Sequence, residues 1–420
     1  MKFNKWTLGL AAIGVVSLAS AAQAEEKMSA VQSALSSTTI SGYVDTSAQW
    51  NFGTGNENLP PYKFGGPTKA DGFNLNVVQL TIAKPLDEAD WAAGYRADLW
   101  FGPDANTLST LSTAGTLNTF NGYHSTGASD FAIRQAYVAL RMPVGNGIDW
   151  KIGVFDSIIG YESVESGNNP NFTRSYGHGL EPQTMTGILA TYRINDVISL
   201  AAGVANTAGP AINQRAFSSP GSDGNKPESY KTYMGSLALT APDSWGWASG
   251  STLYAGVVNG YSEDTRGADI ADNTTSYYVG GTLATPVTGL KVGAAFDYLK
   301  VNSGNWAPWD YAWSVAGYAS YQATEKLSLH LRGEILKDKM DFLYDVTDSS
   351  AFALNGATRI YAVTATAQYD LWKNVISRLE VRWDHGDQKI FGHQGYDSNE
   401  NYTASLKNQV MLVANIIYKF

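Results

Sequence analysis

Thirteen chargeable side chains recur at alternate positions of extended segments. Arg96, Lys151, Lys291, Arg332, Arg378 and Arg382 are cationic; Asp45, Asp98, Asp297, Asp310, Glu334, Glu380 and Asp384 are anionic. A wall carrying both signs keeps water beside it and sets up a transverse field that orients and sorts solutes. The same charges could instead pair across neighbouring strands and do no more than keep the space wet. Six cations against seven anions give no ground for a sign preference. Tyr43, Trp100, Tyr254, Tyr278 and Tyr318 share these faces, where they could stack on sugar rings or pack against an inserted loop. Bond-making chemistry has little support. A nucleophile needs an adjacent base, and Ser328 with His330, two positions apart, lies on the same face as the wall charges. The five histidines (His124, His178, His330, His385 and His393) lack the paired spacing of a metal site. Glycines are spread through strands and turns, and none forms a phosphate-cradling loop between a strand and a helix. No enzyme, cofactor or metal is expected.

Wall positions of this kind need strands to hold them, and period two supplies the strands. In the first, Ile40, Val44, Ala48 and Trp50 face one way while Tyr43, Asp45, Ser47 and Gln49 face the other. The pattern recurs near 73–84, 91–101, 131–142, 148–157, 183–193, 197–207, 230–240, 249–260, 275–285, 288–301, 309–322, 325–337, 357–369 and 373–384. A final stretch, Lys407 to Phe420, sets Val410, Leu412, Ala414, Ile416, Tyr418 and Phe420 on one face. The count is sixteen. The connections alternate short and long: the long ones fall at 53–71, 102–130, 158–182, 208–229, 261–274, 338–356 and 385–404, with 302–307 a short exception. A soluble sandwich has no reason to keep such parity. A closed membrane barrel with trimmed turns on one rim and long loops on the other does. The predicted fold is therefore an all-β transmembrane antiparallel barrel of about sixteen strands, with short periplasmic turns and long extracellular loops. Its first strand pairs with its last, because no strand edge can face hydrocarbon. A lumen that wide is not filled by side chains alone.

Composition agrees with this architecture. The chain of 420 residues carries a formal charge of −9, 42 glycines, 24 tyrosines, 12 tryptophans and no cysteine. An acidic chain without Lys/Arg clusters is a poor partner for nucleic acid. Lys2 and Lys5, the apolar run Trp6 to Leu18 and Ala22-Gln23-Ala24 read as a secretory signal over 1–24, cleaved after Ala24. Residues 25–37 read as a periplasmic leader and 38–420 as the barrel. No stretch of the remaining chain is long and apolar enough for a transmembrane helix.

The connection at 158–182 is the third long one. Gly153-Val154-Phe155-Asp156, Gly160-Tyr161-Glu162, Asn171, Thr173-Arg174-Ser175-Tyr176, Pro182 and Gly187 resemble the OmpL-like β-barrel porin family. The motif covers about 35 residues, and the matching strand-and-loop architecture covers essentially the whole mature chain. The resemblance implies an outer-membrane porin of a Gram-negative-type bacterium, passing small hydrophilic solutes through a pore narrowed by the third loop. In that role Glu162, Glu165, Arg174, His178 and Glu181 would be constriction charges. The wall charges would be Asp45, Arg96, Asp98, Lys151, Lys291, Asp297, Arg332, Glu334, Arg378, Glu380 and Arg382. A substrate-specific channel, for sugars for example, is an alternative. So is a closed structural or adhesive barrel acting through its long loops. The aromatic end, Tyr418 and Phe420, resembles the assembly signal read by the barrel-assembly machinery. Outer-membrane lipid and lipopolysaccharide are the expected surroundings, and a homotrimer is the assembly that the resemblance suggests.

Overall fold

The computed structural model describes residues 37–53, 56, 58–65, 69–108, 110, 130–216, 228–261, 273–302, 310–339, 358–396 and 402–420. The signal expected at 1–24 and nearly all of the leader expected at 25–37 lie outside the described residues, as does most of the 302–307 connection.

Alternating segments become strands wherever one face meets an apolar surrounding and the other a packed or wet interior. The first eight are β1 (Thr39–Asn51), β2 (Gly72–Lys84), β3 (Ala92–Phe101), β4 (Phe131–Met142), β5 (Ile148–Asp156), β6 (Thr184–Arg193), β7 (Ile198–Ala205) and β8 (Thr232–Thr240). They continue as β9 (Thr252–Tyr261), β10 (Asn273–Ala284), β11 (Leu290–Asn302), β12 (Asp310–Gln322), β13 (Leu327–Asp338), β14 (Thr358–Trp372) and β15 (Val375–Gly386). A hairpin of β16 (Phe391–Tyr396) and β17 (Tyr402–Leu406) interrupts the series before β18 (Asn408–Lys419). β1 to β15 and β18 close into an antiparallel barrel of sixteen strands, and β16–β17 form a separate two-stranded sheet.

Closure is made where it was expected. β1 pairs with β18 in the register Tyr43↔Lys419, Asp45↔Ile417 and Asn51↔Met411. Gly42 and Phe420 exchange backbone hydrogen bonds of 2.9 and 3.0 Å, so the pairing runs to the last residue. Val410, Leu412, Ala414, Ile416 and Tyr418 face outward, whereas Gln409, Met411, Val413, Asn415 and Ile417 are buried inside. Complete ladder pairing is the condition for a backbone to lie in hydrocarbon. Among the described residues no helix is long and apolar enough to cross a membrane.

The barrel register shifts at three places, one of them at Asp370/Trp372 near the β14–β15 turn, and the other two are bulges that turn extra residues inward. Between β3 and β4, Asp98 pairs with Gln135 and Leu99 with Ile133, which leaves Arg134 as an extra residue. A bulge places two residues opposite one, and here it turns both Arg134 and Gln135 into the barrel, where both are buried. Between β1 and β2 the register shifts at Asp45/Thr46 and leaves Asn76 extra in the same way.

The connections hold more structure than turns and loops. The 102–130 connection opens with α1 (Pro103–Leu108), and the third long one ends with α2 (Tyr176–Leu180). The last long connection, read from sequence as loop throughout 385–404, contains the β16–β17 hairpin. Its base lowers Ile390 and Phe391 onto Tyr176 and Leu180 of α2. Backbone bonds between Asn58 and Gly392 tie the first long connection to that hairpin. The interior is therefore packed by loops from the long-connection rim, and is far from an empty tube.

Candidate functional site

The loop from Ser157 to Gln183 enters the barrel and is fastened to the inner faces of β13, β14 and β15. Glu380 on β15 accepts from the backbone N–H of Phe172 at 2.6 Å and of Thr173 at 3.0 Å, and from the Thr173 hydroxyl at 2.6 Å. Thr366 on β14 donates to the same carboxylate at 2.7 Å and accepts from the Asn171 amide at 2.7 Å. Glu334 on β13 accepts from the Tyr176 N–H at 2.6 Å, at the start of α2. A carboxylate that receives several N–H and O–H donors forms stronger bonds than neutral acceptors do.

Arginines supply the matching donors. Arg332 pairs with Glu162 at 2.9 Å and Glu334 at 3.1 Å, and reaches the Thr173 carbonyl at 2.7 Å and the Arg174 carbonyl at 3.2 Å. Arg382 pairs with Asp384 at 2.9 Å, donates to the Arg174 carbonyl at 2.8 Å, and lies between the rings of Tyr62 and Tyr176 at 4.7 and 4.8 Å. Tyr176 closes the circuit, its hydroxyl donating to Asp384 at 2.6 Å. Arg378 donates to the carbonyls of Ser166 and Asn169 at 3.1 and 2.6 Å. Fork-shaped guanidinium groups can satisfy several acceptors at fixed angles, which suits them to holding an irregular loop.

The opposite flank of the loop is held by apolar contact. Ile158, Ile159 and Tyr161 pack with Phe155, Met185, Leu189, Met234, Val258 and Tyr278 from the inner faces of β5 to β10. Tyr161 stacks on Tyr318 with centroids 4.1 Å apart, over Gly293, where a Cβ would strike the Tyr161 hydroxyl. At Gly160 the backbone takes φ +127°, a conformation open to glycine, and the Glu181 carboxyl lies against the space a side chain would fill.

Of the five loop charges nominated from sequence, four are buried. Glu162 is bound by Arg332, by the Ser175 N–H at 2.8 Å and by the Tyr318 hydroxyl at 3.2 Å. Arg174 donates to the carbonyls of Phe172 and Val164 at 3.0 and 2.7 Å and lies over Phe64. His178 sits 3.4 Å from Glu181. Burial, then the neighbouring Arg174, holds the His178 imidazole well below its ordinary range, so it is neutral at pH 7. Burial, then the charge of Asp297, pushes the Glu181 carboxyl well above the carboxylate range. Only Glu165 reaches open space, bonded to Arg134 at 2.8 Å and Arg96 at 3.3 Å.

The wall charges divide likewise. Asp98 is buried between Arg96 at 2.9 Å and Arg134 at 2.8 Å, and Asp45 is capped by the amides of Asn76 and Asn415 at 2.9 and 2.6 Å. Arg96, Lys151 and Lys291 line water-accessible cavities below the loop, of about 490, 780 and 520 Å³. Sequence alternation missed Arg134, the hub that joins Asp98, Asp156 and Glu165, because the bulge breaks the period that would have placed it. It also missed the buried pair of Lys69 and Asp104, formed between two loops. Trp100 does not offer a face to solutes: it is buried against Phe64, its indole N–H donating to Gln79 at 2.6 Å. Tyr43, Tyr278 and Tyr318 are also buried, and of the five nominated aromatics only Tyr254 is exposed. Tyr418 is exposed on the outer face of β18, and Phe420, also exposed, lies at the short-turn rim where it borders the cavity that Lys419 lines. Among the described residues no cluster of three or more His, Asp or Glu could hold a metal ion.

Comparisons with known proteins agree with this architecture. In solved structures the fold is similar to the anion-selective porin of Comamonas acidovorans at 11% identity and a TM-score of 0.58, covering 91% of this chain and 99% of that one. It is similar to OmpF of Salmonella typhi in complex with daunomycin at 14% identity and 0.54, covering 91% and 97%. A trimer form of in-vitro folded OmpT from Vibrio cholerae matches at 10% identity and 0.52, covering 91% and 99%. Such identities establish the fold alone. No curated protein sequence matches the chain. The family model described as putative beta-barrel porin-2, OmpL-like, matches residues 37–420. With a closed sixteen-strand barrel and that match over nearly its whole length, the chain belongs to the OmpL-like β-barrel porin family and is an outer-membrane porin.

Proposed function

We propose that the protein lets small hydrophilic solutes diffuse passively across the outer membrane, and that the loop from Ser157 to Gln183 sets the narrow part of the path. The observation that carries this reading is that the loop is fastened across the lumen yet leaves an open path beside it. Its charged flank is bound to β13–β15 and its apolar flank to β5–β10, while a polar cavity lined by Arg96, Lys151, Glu165, Thr191, Ser236 and Tyr254 remains open. In this reading Glu162, Arg174, His178 and Glu181 shape the passage by holding the loop, and Glu165 is the loop charge that passing solutes meet. Family membership supports a channel; the fold relatives include general and anion-selective porins. Of the five aromatics nominated for sugar stacking only Tyr254 is exposed, with Tyr137 beside it in the lining of the same cavity. The trimer form of the Vibrio cholerae relative supports a homotrimer, which native mass measurement would test.

Planar-bilayer recording of the folded protein provides the decisive measurement. Stepwise conductance is expected, and removal of 160–178 should raise the size of each step. A protein that inserts and folds yet conducts nothing, with or without those residues, would leave a closed structural barrel as the better description.

A further inference from the structure

Sequence nominates wall charges in near balance, and the folded chain separates the two signs by access. Asp45, Asp98, Asp297, Glu334, Glu380 and Asp384 are each at most 5% exposed. Arg332, Arg378 and Arg382 are buried with them, under the loop. The wall cations that still line the cavities below the loop are Arg96, Lys151 and Lys291, joined by Lys419 at the closing strand. Carboxylates lining the same cavities are engaged by guanidinium groups: Glu165 and Asp156 by Arg134 at 2.8 and 2.7 Å, and Asp149 by Arg141 at 2.7 Å. The cavity beside Lys291 has hydroxyls and amides from Thr252, Thr282, Ser320, Gln322, Ser328 and Gln368, with no carboxylate in its lining.

We propose that the lumen favours small anions, although the whole chain has a formal charge of −9. The inference rests on the diffusion reading and adds to it the class of solute. A carboxylate held by a guanidinium presents a weak field beyond its partner. A lone ammonium on a wet wall acts over about a Debye length, roughly 8 Å in physiological salt. Low-dielectric walls concentrate that field along the path. Neither contact made by the lysines cancels their charge. The Lys151 ammonium lies 4.9 Å from the Tyr137 ring centroid, and that of Lys419 donates to the Gly167 carbonyl at 3.0 Å. The net charge of the chain misleads here because the carboxylates that line these cavities are held by guanidinium groups, and those outside the lumen are screened from it.

The test is the reversal potential of the full protein in a planar bilayer under a KCl gradient. Chloride should permeate faster than potassium. The double variant Lys151→Glu with Lys291→Glu should lower the chloride-to-potassium permeability ratio by about threefold or more, given two charge reversals beside a screened aqueous path. Lys151→Gln with Lys291→Gln, which keeps the size of the side chains and removes only charge, should give a smaller fall in the same direction. This pair guards against misfolding of the reversed variant. Conductance with a potassium-favouring potential in the unaltered protein, or a ratio unmoved by both doubles, overturns the anion inference and leaves the diffusion reading intact. Loss of all conductance in the unaltered protein defeats that reading, and the inference with it.

Discussion

Two flanks of one loop are held to the barrel by opposite means. On β13–β15 the attachment is made of buried ions and directed hydrogen bonds centred on Glu380, Arg332 and Arg382. On β5–β10 it is made of apolar contact between Ile158, Ile159, Tyr161 and the cluster of Met185, Leu189, Met234 and Val258. The ionic flank is specific and brittle, because removal of one partner strands another charge away from water. The apolar flank is tolerant, because burial is proportional to area and has no direction. The comparison shows that an inward-facing charge in a barrel has two meanings. Where the loop covers it, the charge is an anchor; where water reaches it, the charge is a field.

The largest effect should follow from Arg332→Ala. It takes the guanidinium away from the buried carboxylates Glu162 and Glu334 and from the Thr173 carbonyl, at a cost of about 3–5 kcal/mol by analogy with broken buried pairs. Urea unfolding of the detergent-folded barrel reads the loss, and a larger, noisier single-channel step should accompany it as the loop detaches. An unchanged step would show that the apolar flank holds the loop unaided. Leu189→Ala should cost less, about 2–4 kcal/mol through the cavity it leaves, with conductance steps close to those of the unaltered protein. A step as altered as that of the arginine variant would remove the distinction between the flanks.

Acidity gives a third test. The Glu181 carboxyl binds its proton more tightly folded than unfolded, so the unfolded state loses its proton first as pH rises. Stability therefore falls with pH from the ordinary carboxylate value up to the raised one, by about 1.4 kcal/mol for each pH unit of that window. Glu181→Gln, which cannot ionise, should flatten that part of the stability–pH curve, as measured by urea midpoints at successive pH values. Asp104, pushed up to about 6 by burial, contributes a slope of the same sign between the ordinary aspartate value and about pH 6, and this slope should survive in the variant. Smallest of all should be Tyr254→Ala on the open side, within about 0.5 kcal/mol because the ring is exposed. A larger cost would mean that the open side also carries part of the loop.

Much of the barrel was legible in the residues. Sixteen alternating segments and one-sided long connections gave the strand count, the closure of β1 on β18 and the outward face of Val410 to Tyr418, because pleat and membrane impose the same period of two. Strand ends were legible to within three residues, since Gly, Asn and Pro cluster at the turns. The β16–β17 hairpin was not, being too short to distinguish from a polar connection. Arg134 was hidden by its bulge. The motif around Gly160, Glu162, Thr173 and Tyr176 was visible as a resemblance, and its residues prove to be the ones that bind the loop to β13–β15. What the motif did not disclose was that binding the loop buries most of its charges.

By itself, then, the sequence determined the class, the number of barrel strands, their order and, away from the bulges, which side chains point inward. All of these follow from local alternation and from the rule that a backbone in lipid must pair completely. Only the tertiary structure decided which inward charges remain in water. Access depends on where a loop distant in sequence comes to rest: the contacts that cover Glu334, Glu380 and Asp384 come from residues more than 150 positions away. Periodicity reports the direction of a side chain and is silent about what later lies over it.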